Sequence, residues 1–322
     1  MNDDAIGGYL AFEPLAMGGN EWYRHALRFQ SARSAFLALL QHERPARVWL
    51  PWHLCNSMRA PLQMAGIEVA HYGLDAGLAP LESIPLAADE WLLYVNYFGV
   101  CDRHVADVLR NHPAGQVVID ASQAFFSPSV DCLATIYSPR KFFGVPDGGY
   151  LVTDRNMTLP DEQDQDSIHR CVHLLKRHEV GAEAGYADYQ QAEASLNGQK
   201  PRRMSELTRG LLSQIDYAAA RSSRHTNFLH LHRRLQRQNR LPLVIAEGAA
   251  PLCYPYLIDE GESLRARLRE QRIFVPVYWP EVGLGSAQIP AWEQCLARKC
   301  LALPCDQRYS ATEMDRILEQ LG

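Results

Sequence analysis

An amine that is to form a covalent imine with a carbonyl must be held in one place and partly shielded from water. The chain has four lysines. Lys176 stands in the charged helical stretch HLLKRHE, Lys200 in a basic loop, and Lys299 beside Arg298 in the last turns of a helix, so each reads as a solvent-facing charge. Lys141 differs. It lies in YSPRKFFGVPDGGYLV, between two apolar stretches that read as buried strands, and is followed by aromatics and a Gly-Gly pair that allows a tight backbone turn. Lys141 is therefore the candidate nucleophile for a Schiff base.

Asp120 closes the apolar run QVVI, which places it at the carboxyl end of a strand, where open α/β sheets hold their ligands. A carboxylate there can bond a protonated pyridine nitrogen and keep the ring cationic, the condition under which pyridoxal phosphate (PLP) acts as an electron sink. Taken alone, Asp120 is more simply read as a helix N-cap or turn residue. Gln123 lies within reach of the same ring. For the cofactor phosphate, the helix start at Ser31, Ala32 and Arg33 offers free backbone N–H groups and a positive dipole end, and Ser138 and Arg140 add a hydroxyl and a charge. No metal is expected: Cys295, Cys300 and Cys305 have no accompanying histidine, and His225, His230 and His232 fall on an Arg-rich helix whose bland reading is a solvated face.

The elements that must position these residues follow from periodicity. Ser31 is a plausible N-cap for the helix SARSAFLALL. Apolar runs at 48–50, 67–72, 91–95, 116–119, 133–137 and 149–153 read as strands, interleaved in the first part with the helical patterns SMRAPLQMAG and RHVADVLRNH. That alternation predicts an α/β fold with a mostly parallel sheet sandwiched by helices. The acidic stretch PDEQDQD reads as a surface loop, and one long helix is expected from Met204 to about Leu235. Beyond it a strand, a helix, a strand at 273–278 and a last helix at 311–321 make a small α+β lobe. The expected division is a large PLP-binding domain with an N-terminal arm at 1–215 and a small domain at 216–322. The composition, 47% hydrophobic and 21% charged with a formal charge of −5, is ordinary for a globular protein and argues against nucleic acid as a partner. No apolar run reaches membrane-span length and MNDDAIGGYL lacks the features of a signal peptide, so a cytoplasmic protein is expected.

Across nearly the whole length the chain resembles the DegT/DnrJ/StrS aminotransferases, fold type I PLP enzymes that aminate keto-sugar nucleotides. The matching pieces are IGGYLAFE, SARSAFLALL, PWHLCNSMRAPLQMAG, VNYFG, VVIDASQAF, SPRKFFGVPDGGYLVTD, RRMSEL and LALPCDQRYSATEM. IDASQ together with RK…GGYLVT is the specific part. The resemblance implies that Lys141 is the Schiff-base lysine, Asp120 the pyridinium partner and Gln123 a PLP contact. It further implies that Ala32 and Arg33 present backbone amides to the phosphate with help from Ser138. It also implies a homodimer with shared active sites, an amino-acid donor such as glutamate, a nucleotide-sugar acceptor, and a place in surface polysaccharide or lipopolysaccharide synthesis. A family member with a different reaction, or one serving only as a binding or regulatory protein, is the alternative.

Several positions depart from the family pattern. The small pair that usually opens the phosphate helix is Ala32-Arg33, and the position that stacks an aromatic ring on PLP is Cys55 in ungapped register. Trp52 or His53 would then take over the stacking. Pro201 replaces an asparagine that reaches across the dimer to the phosphate, leaving Lys200 or Arg202 as substitutes. VPVYWPE stands where a histidine-tyrosine pair is usual, so Tyr278 and Trp279, with Arg203 of RRMSEL, are the further expected substrate contacts.

Overall fold

The computed structural model describes residues 5–11, 20–285 and 287–322. The strands are β1 (Ile6–Gly7), β2 (Leu27–Phe29), β3 (Arg47–Pro51), β4 (Glu68–Tyr72), β5 (Glu90–Val95), β6 (Val117–Asp120), β7 (Ala134–Tyr137), β8 (Gly149–Val152), β9 (Cys253–Leu257), β10 (Ile273–Phe274) and β11 (Cys300–Pro304). The helices are α1 (Ala32–Glu43), α2 (Asn56–Ala65), α3 (Asp102–Asn111), α4 (Val172–Glu179), α5 (Tyr186–Ala194), α6 (Glu206–Leu212), α7 (Tyr217–Leu235), α8 (Gly261–Glu270), α9 (Pro280–Gly283), α10 (Ala291–Lys299) and α11 (Ala311–Leu321).

Seven strands form one sheet in the order β2-β8-β7-β6-β5-β3-β4. β4, β3, β5, β6 and β7 run parallel, whereas β8 is antiparallel to both β7 and β2. The reversal comes where the Lys141 segment links β7 to β8 without a crossover helix, because a short connection can return a strand only antiparallel. β5 and β6 are buried along their whole length, as expected of central strands covered on both faces. β9 and β11 pair antiparallel in a separate two-stranded sheet, and β1 pairs parallel with β10.

Three expectations change. The long helix of 204–235 is two helices: Asp216 caps α7 by accepting from the Ala219 N–H, and the Tyr217 hydroxyl donates to the Leu212 carbonyl at the end of α6 (2.8 Å). The acidic stretch is not simply a surface loop, since Asp164 is buried and pairs with the equally buried Arg170 at 2.8 Å. The strand expected at 273–278 ends at Phe274, two residues before Pro276, and Trp279 adopts a left-handed backbone (φ 56°) that turns the chain into α9.

Candidate active site

The carboxyl ends of the parallel strands open into a cavity of ≈ 1090 Å³ whose wall includes Val95, Asp120 and Ser138. Asp120 is the last residue of β6, with its backbone carbonyl accepting from the Asn96 N–H at 2.9 Å. Its side chain is 5% exposed and one carboxylate oxygen accepts from the Ser122 N–H at 2.9 Å. Gln123 follows in the same turn. Its Oε1 accepts from the Phe98 N–H at 2.7 Å, while its buried Nε2 is left without a partner on the cavity wall. A buried donor without an acceptor costs about 1–3 kcal/mol unless a ligand supplies one.

Lys141 closes the single-turn helix Pro139–Lys141 that follows β7. Among the described residues its amine has no hydrogen-bond or ion-pair partner, and it lines the cavity. The next peptide is clamped: the Phe142 carbonyl accepts from Gln307 Nε2 at 2.7 Å and from Arg224 Nη2 at 3.3 Å, and the Arg224 guanidinium lies 4.4 Å from the centre of the Phe142 ring. The loop after it is pinned as well, since buried Asp147 accepts from the Ser205 N–H (2.9 Å), the Ser205 hydroxyl (2.8 Å) and the Thr208 hydroxyl. Burial still pushes the Asp147 carboxyl above its usual value, against the pull of those bonds.

The anion cradle is built by close backbone approach. Ser31 caps α1, accepting from the Ser34 N–H, and the Gly148 N–H donates to the Gln30 carbonyl at 2.7 Å. A Cβ on Gly149 would stand 2.2 Å from the Ser31 carbonyl carbon and 2.3 Å from the Ala32 nitrogen. Only glycine lets β8 run this close to the start of α1, and Ser31, Ala32, Arg33, Ser138 and Arg140 line the same cavity as Lys141. Arg140 and Arg33 both face Glu193 of α5: Arg140 is hydrogen-bonded to it, and Arg33 Nη2 lies 3.7 Å from its carboxylate. Although burial opposes it, the charge and hydrogen bond of Arg140, then Arg33 and Lys141, hold the Glu193 carboxyl below its usual value.

Cys55 lies on the cavity wall, but its sulfur caps α2, accepting from the Ser57 N–H at 3.4 Å and from the Ser57 hydroxyl at 3.0 Å. Neither aromatic neighbour replaces it. Trp52 stacks on His71 (4.0 Å, 11°), and His53 is 1% exposed, packed edge-on against Trp279 at 4.5 Å, with burial pushing its imidazole down to about 3. Both stand outside the cavity lining, contrary to expectation, because the tight turn after β3 sends Trp52 against His71 of β4 and His53 between Tyr97 and Trp279. Tyr278 and Trp279 do line the cavity. Arg203 does not: it pairs by backbone with Phe29 beyond the sheet edge, and its guanidinium donates to the Asp161 carbonyl at 3.0 Å. Unforeseen contributors are Glu193, Tyr189 and Arg224, together with Tyr9 of the arm, whose ring stacks on Tyr189 at 5.1 Å.

Fold and site together define an α/β protein built as the fold type I aminotransferases are, with a seven-stranded mixed sheet. Its solved structural likenesses include sugar aminotransferases and a DegT DnrJ EryC1 StrS aminotransferase. A DegT DnrJ EryC1 StrS aminotransferase from Brucella abortus superimposes with a TM-score of 0.62 at 15% identity, over 92% of this chain and 85% of that one. DesI in the presence of its TDP-sugar product gives 0.59 at 18% identity, covering 92% and 80%. NtdA from Bacillus subtilis with bound cofactor PMP gives 0.63 at 15%, covering 92% and 72%. No protein-family model and no curated protein matches the sequence. Among the described residues no helix is long and apolar enough to cross a membrane.

Proposed function

We propose that this chain is a PLP-dependent aminotransferase that moves an amino group from an amino acid, glutamate first among the candidates, to a keto-sugar nucleotide. The observation that carries the reading is one cavity lined by an unpartnered Lys141 amine, the strand-end Asp120 carboxylate and an orphaned Gln123 Nε2 donor. These groups fit PLP. When bound, PLP supplies an electron sink for chemistry at an amine-bearing carbon. Asp120 would accept the hydrogen bond of the ring N–H, and Gln123 Nε2 would donate to a ring substituent. The N–H groups of Ala32 and Arg33 with the Ser138 hydroxyl would hold the phosphate. Lys141 Nζ would remove and return the proton at the carbon that bears the transferred nitrogen. The sugar-nucleotide acceptor is supported by the likeness to DesI and by a cavity large enough for more than the cofactor.

Purified protein mixed with PLP should gain visible absorbance, and Lys141→Ala should not. Persistence of that absorbance in the variant would remove the central assignment. Cys55 at the stacking position favours a second reading, cofactor binding without transamination. Glutamate decides between the two, since its conversion of the bound cofactor to the pyridoxamine form excludes the idle protein. A homodimer is part of the proposal. Exposed Ile168, Val172 and Leu175, spaced four and three residues apart, put an apolar stripe beside the cavity-lining Leu174 and Tyr186. The division at residue 215, between α6 and α7, and a role in surface polysaccharide synthesis belong to the same reading.

A further inference from the structure

Arg33 and Arg140 come from different parts of the chain, the first turn of α1 and the turn that carries Lys141, and are brought together by the passage of Gly148 and Gly149 between those turns. Their side chains are 17% and 12% exposed, and the one carboxylate near both is Glu193, hydrogen-bonded by Arg140 and 3.7 Å from Arg33, which donates its own hydrogen bond to the neutral Asn197. Two guanidiniums facing one monoanion leave a positive charge unneutralised, which favours a dianion in the same place. Arg140 Nε is moreover buried with no acceptor. The carboxylate rides on a lightly anchored element: within α5 only Ala192 is buried, and the helix packs on α4 and the 166–170 turn rather than on the large sheet. The arginines, by contrast, stand on segments fixed to the sheet, α1 packing directly on β2, β7 and β8.

We infer that Glu193 is a resident counter-ion that occupies a phosphate subsite formed by the Arg33 and Arg140 side chains and must yield that place when a phosphomonoester dianion binds. α5 is then a gate whose position reports whether the cradle beside Lys141 is filled. The subsite itself stands on the geometry; that the phosphate is the cofactor's rests on the function proposed above.

The test uses the full-length protein and its Glu193→Gln variant, titrated with inorganic phosphate by calorimetry, and then with PLP and with pyridoxal, which lacks the phosphate. Removing the competing charge should tighten inorganic phosphate by about tenfold or more and PLP by about tenfold more than pyridoxal, since any effect of the lost charge on Lys141 acts on both aldehydes alike. Adding Arg33→Gln to Glu193→Gln should abolish the gain. Equal or weaker phosphate binding in Glu193→Gln would overturn the inference, because a carboxylate that merely positions the arginines would be missed rather than displaced. Should that variant fail to fold, Glu193→Asp, with the carboxylate withdrawn by one methylene, should still bind phosphate about threefold more tightly, and no gain would overturn the inference. If PLP gives no absorbance with any variant, the proposed function fails while the inorganic phosphate comparison still decides the gate.

Discussion

Gly149→Ala tests how the anion cradle is built. The added methyl would meet the Ser31 carbonyl carbon at 2.2 Å, the Ala32 nitrogen at 2.3 Å and the Ser31 oxygen at 2.5 Å. Ordinary contact between such atoms is about 3.5 Å, so the overlap exceeds about 1 Å. All three atoms are backbone, and none can swing away as a side chain would. Strand β8 must part from the start of α1, which disturbs the Phe29–Gly149 pairing and the Gly148 hydrogen bond to Gln30. Overpacking typically costs about 1–3 kcal/mol, and with an all-backbone contact we expect a loss of about 3 kcal/mol or more. The same movement opens the phosphate cradle, so PLP affinity should fall along with stability. Gly210→Ala is the matched control: it sits in α6 with nothing within 4 Å of a built Cβ, and should be neutral or stabilising by up to about 1 kcal/mol. Urea unfolding of the two variants, with PLP titrations of each, makes the comparison. A Gly149→Ala protein within about 0.5 kcal/mol of wild type would refute the reasoning, since the close approach would then not constrain the cradle.

Other outcomes follow from buried charge. His53 is held neutral by burial, with its folded value pushed down to about 3. Its unfolded form takes up a proton below about 6.5, so its contribution to stability is present above that pH and is lost as pH falls from about 6.5 towards 3. The slope corresponds to about 5 kcal/mol over the window, and in His53→Phe the acid limb of the stability–pH curve should flatten; an unchanged limb would show that His53 does not carry it. Asp306 behaves as a carboxylate held low: burial opposes it, but Arg308, 2.7 Å away, brings it to about 2. That contribution is present above about 3.9 and lost as pH falls towards 2, so Asp306→Asn should remove about 2 kcal/mol at pH 7 and show no further loss of this kind below pH 4. Asp164→Asn leaves buried Arg170 with only the largely exposed Asp166, 3.8 Å away, as counter-charge and should cost up to about 3–5 kcal/mol, read from thermal or urea unfolding, whereas a cost below about 1 kcal/mol would mean the pair is solvated.

The sheet and the order of the site residues along it were legible because strand ends and helix starts leave local marks. An aspartate closing VVI, a serine opening SARSAFLALL and a Gly-Gly pair after Lys141 each state a backbone requirement within a few residues. The part of the cavity lining that comes from α5 and α7 was not legible. Glu193 lies 52 positions from Lys141, in QQAEAS, where nothing local separates it from a solvated glutamate. Arg224 could have been found: Tyr217, Ala220, Arg224, Phe228, Leu231 and Leu235 fall on one buried stripe of α7, so an arginine in register with that stripe announces a buried cation. Trp52 and His53 were misplaced for a different reason. A ring's residue type says that it will be packed, but which of two faces of a tight turn it takes is decided by neighbours far away in sequence, here His71 and Trp279.

The pairing of β1 with β10 has a mechanical consequence. The arm that carries β1 is joined to the C-terminal part of the chain through Ile273–Phe274 and through the Gly7 N–H donating to the Tyr309 hydroxyl at 2.7 Å. The same few residues grip the α4–α5 cover, with Arg177 donating to the Gly7 carbonyl at 2.9 Å and the Tyr9 hydroxyl donating to the Ala182 carbonyl at 2.6 Å. Residues 6–9 are thus a linkage rod between these two parts, working in parallel with the ion pair of Arg272 and Glu183 at 2.9 Å. A tug on either end is transmitted to the other, and shortening the rod would leave only the exposed Arg272–Glu183 pair to carry that coupling, without touching a residue of the cradle.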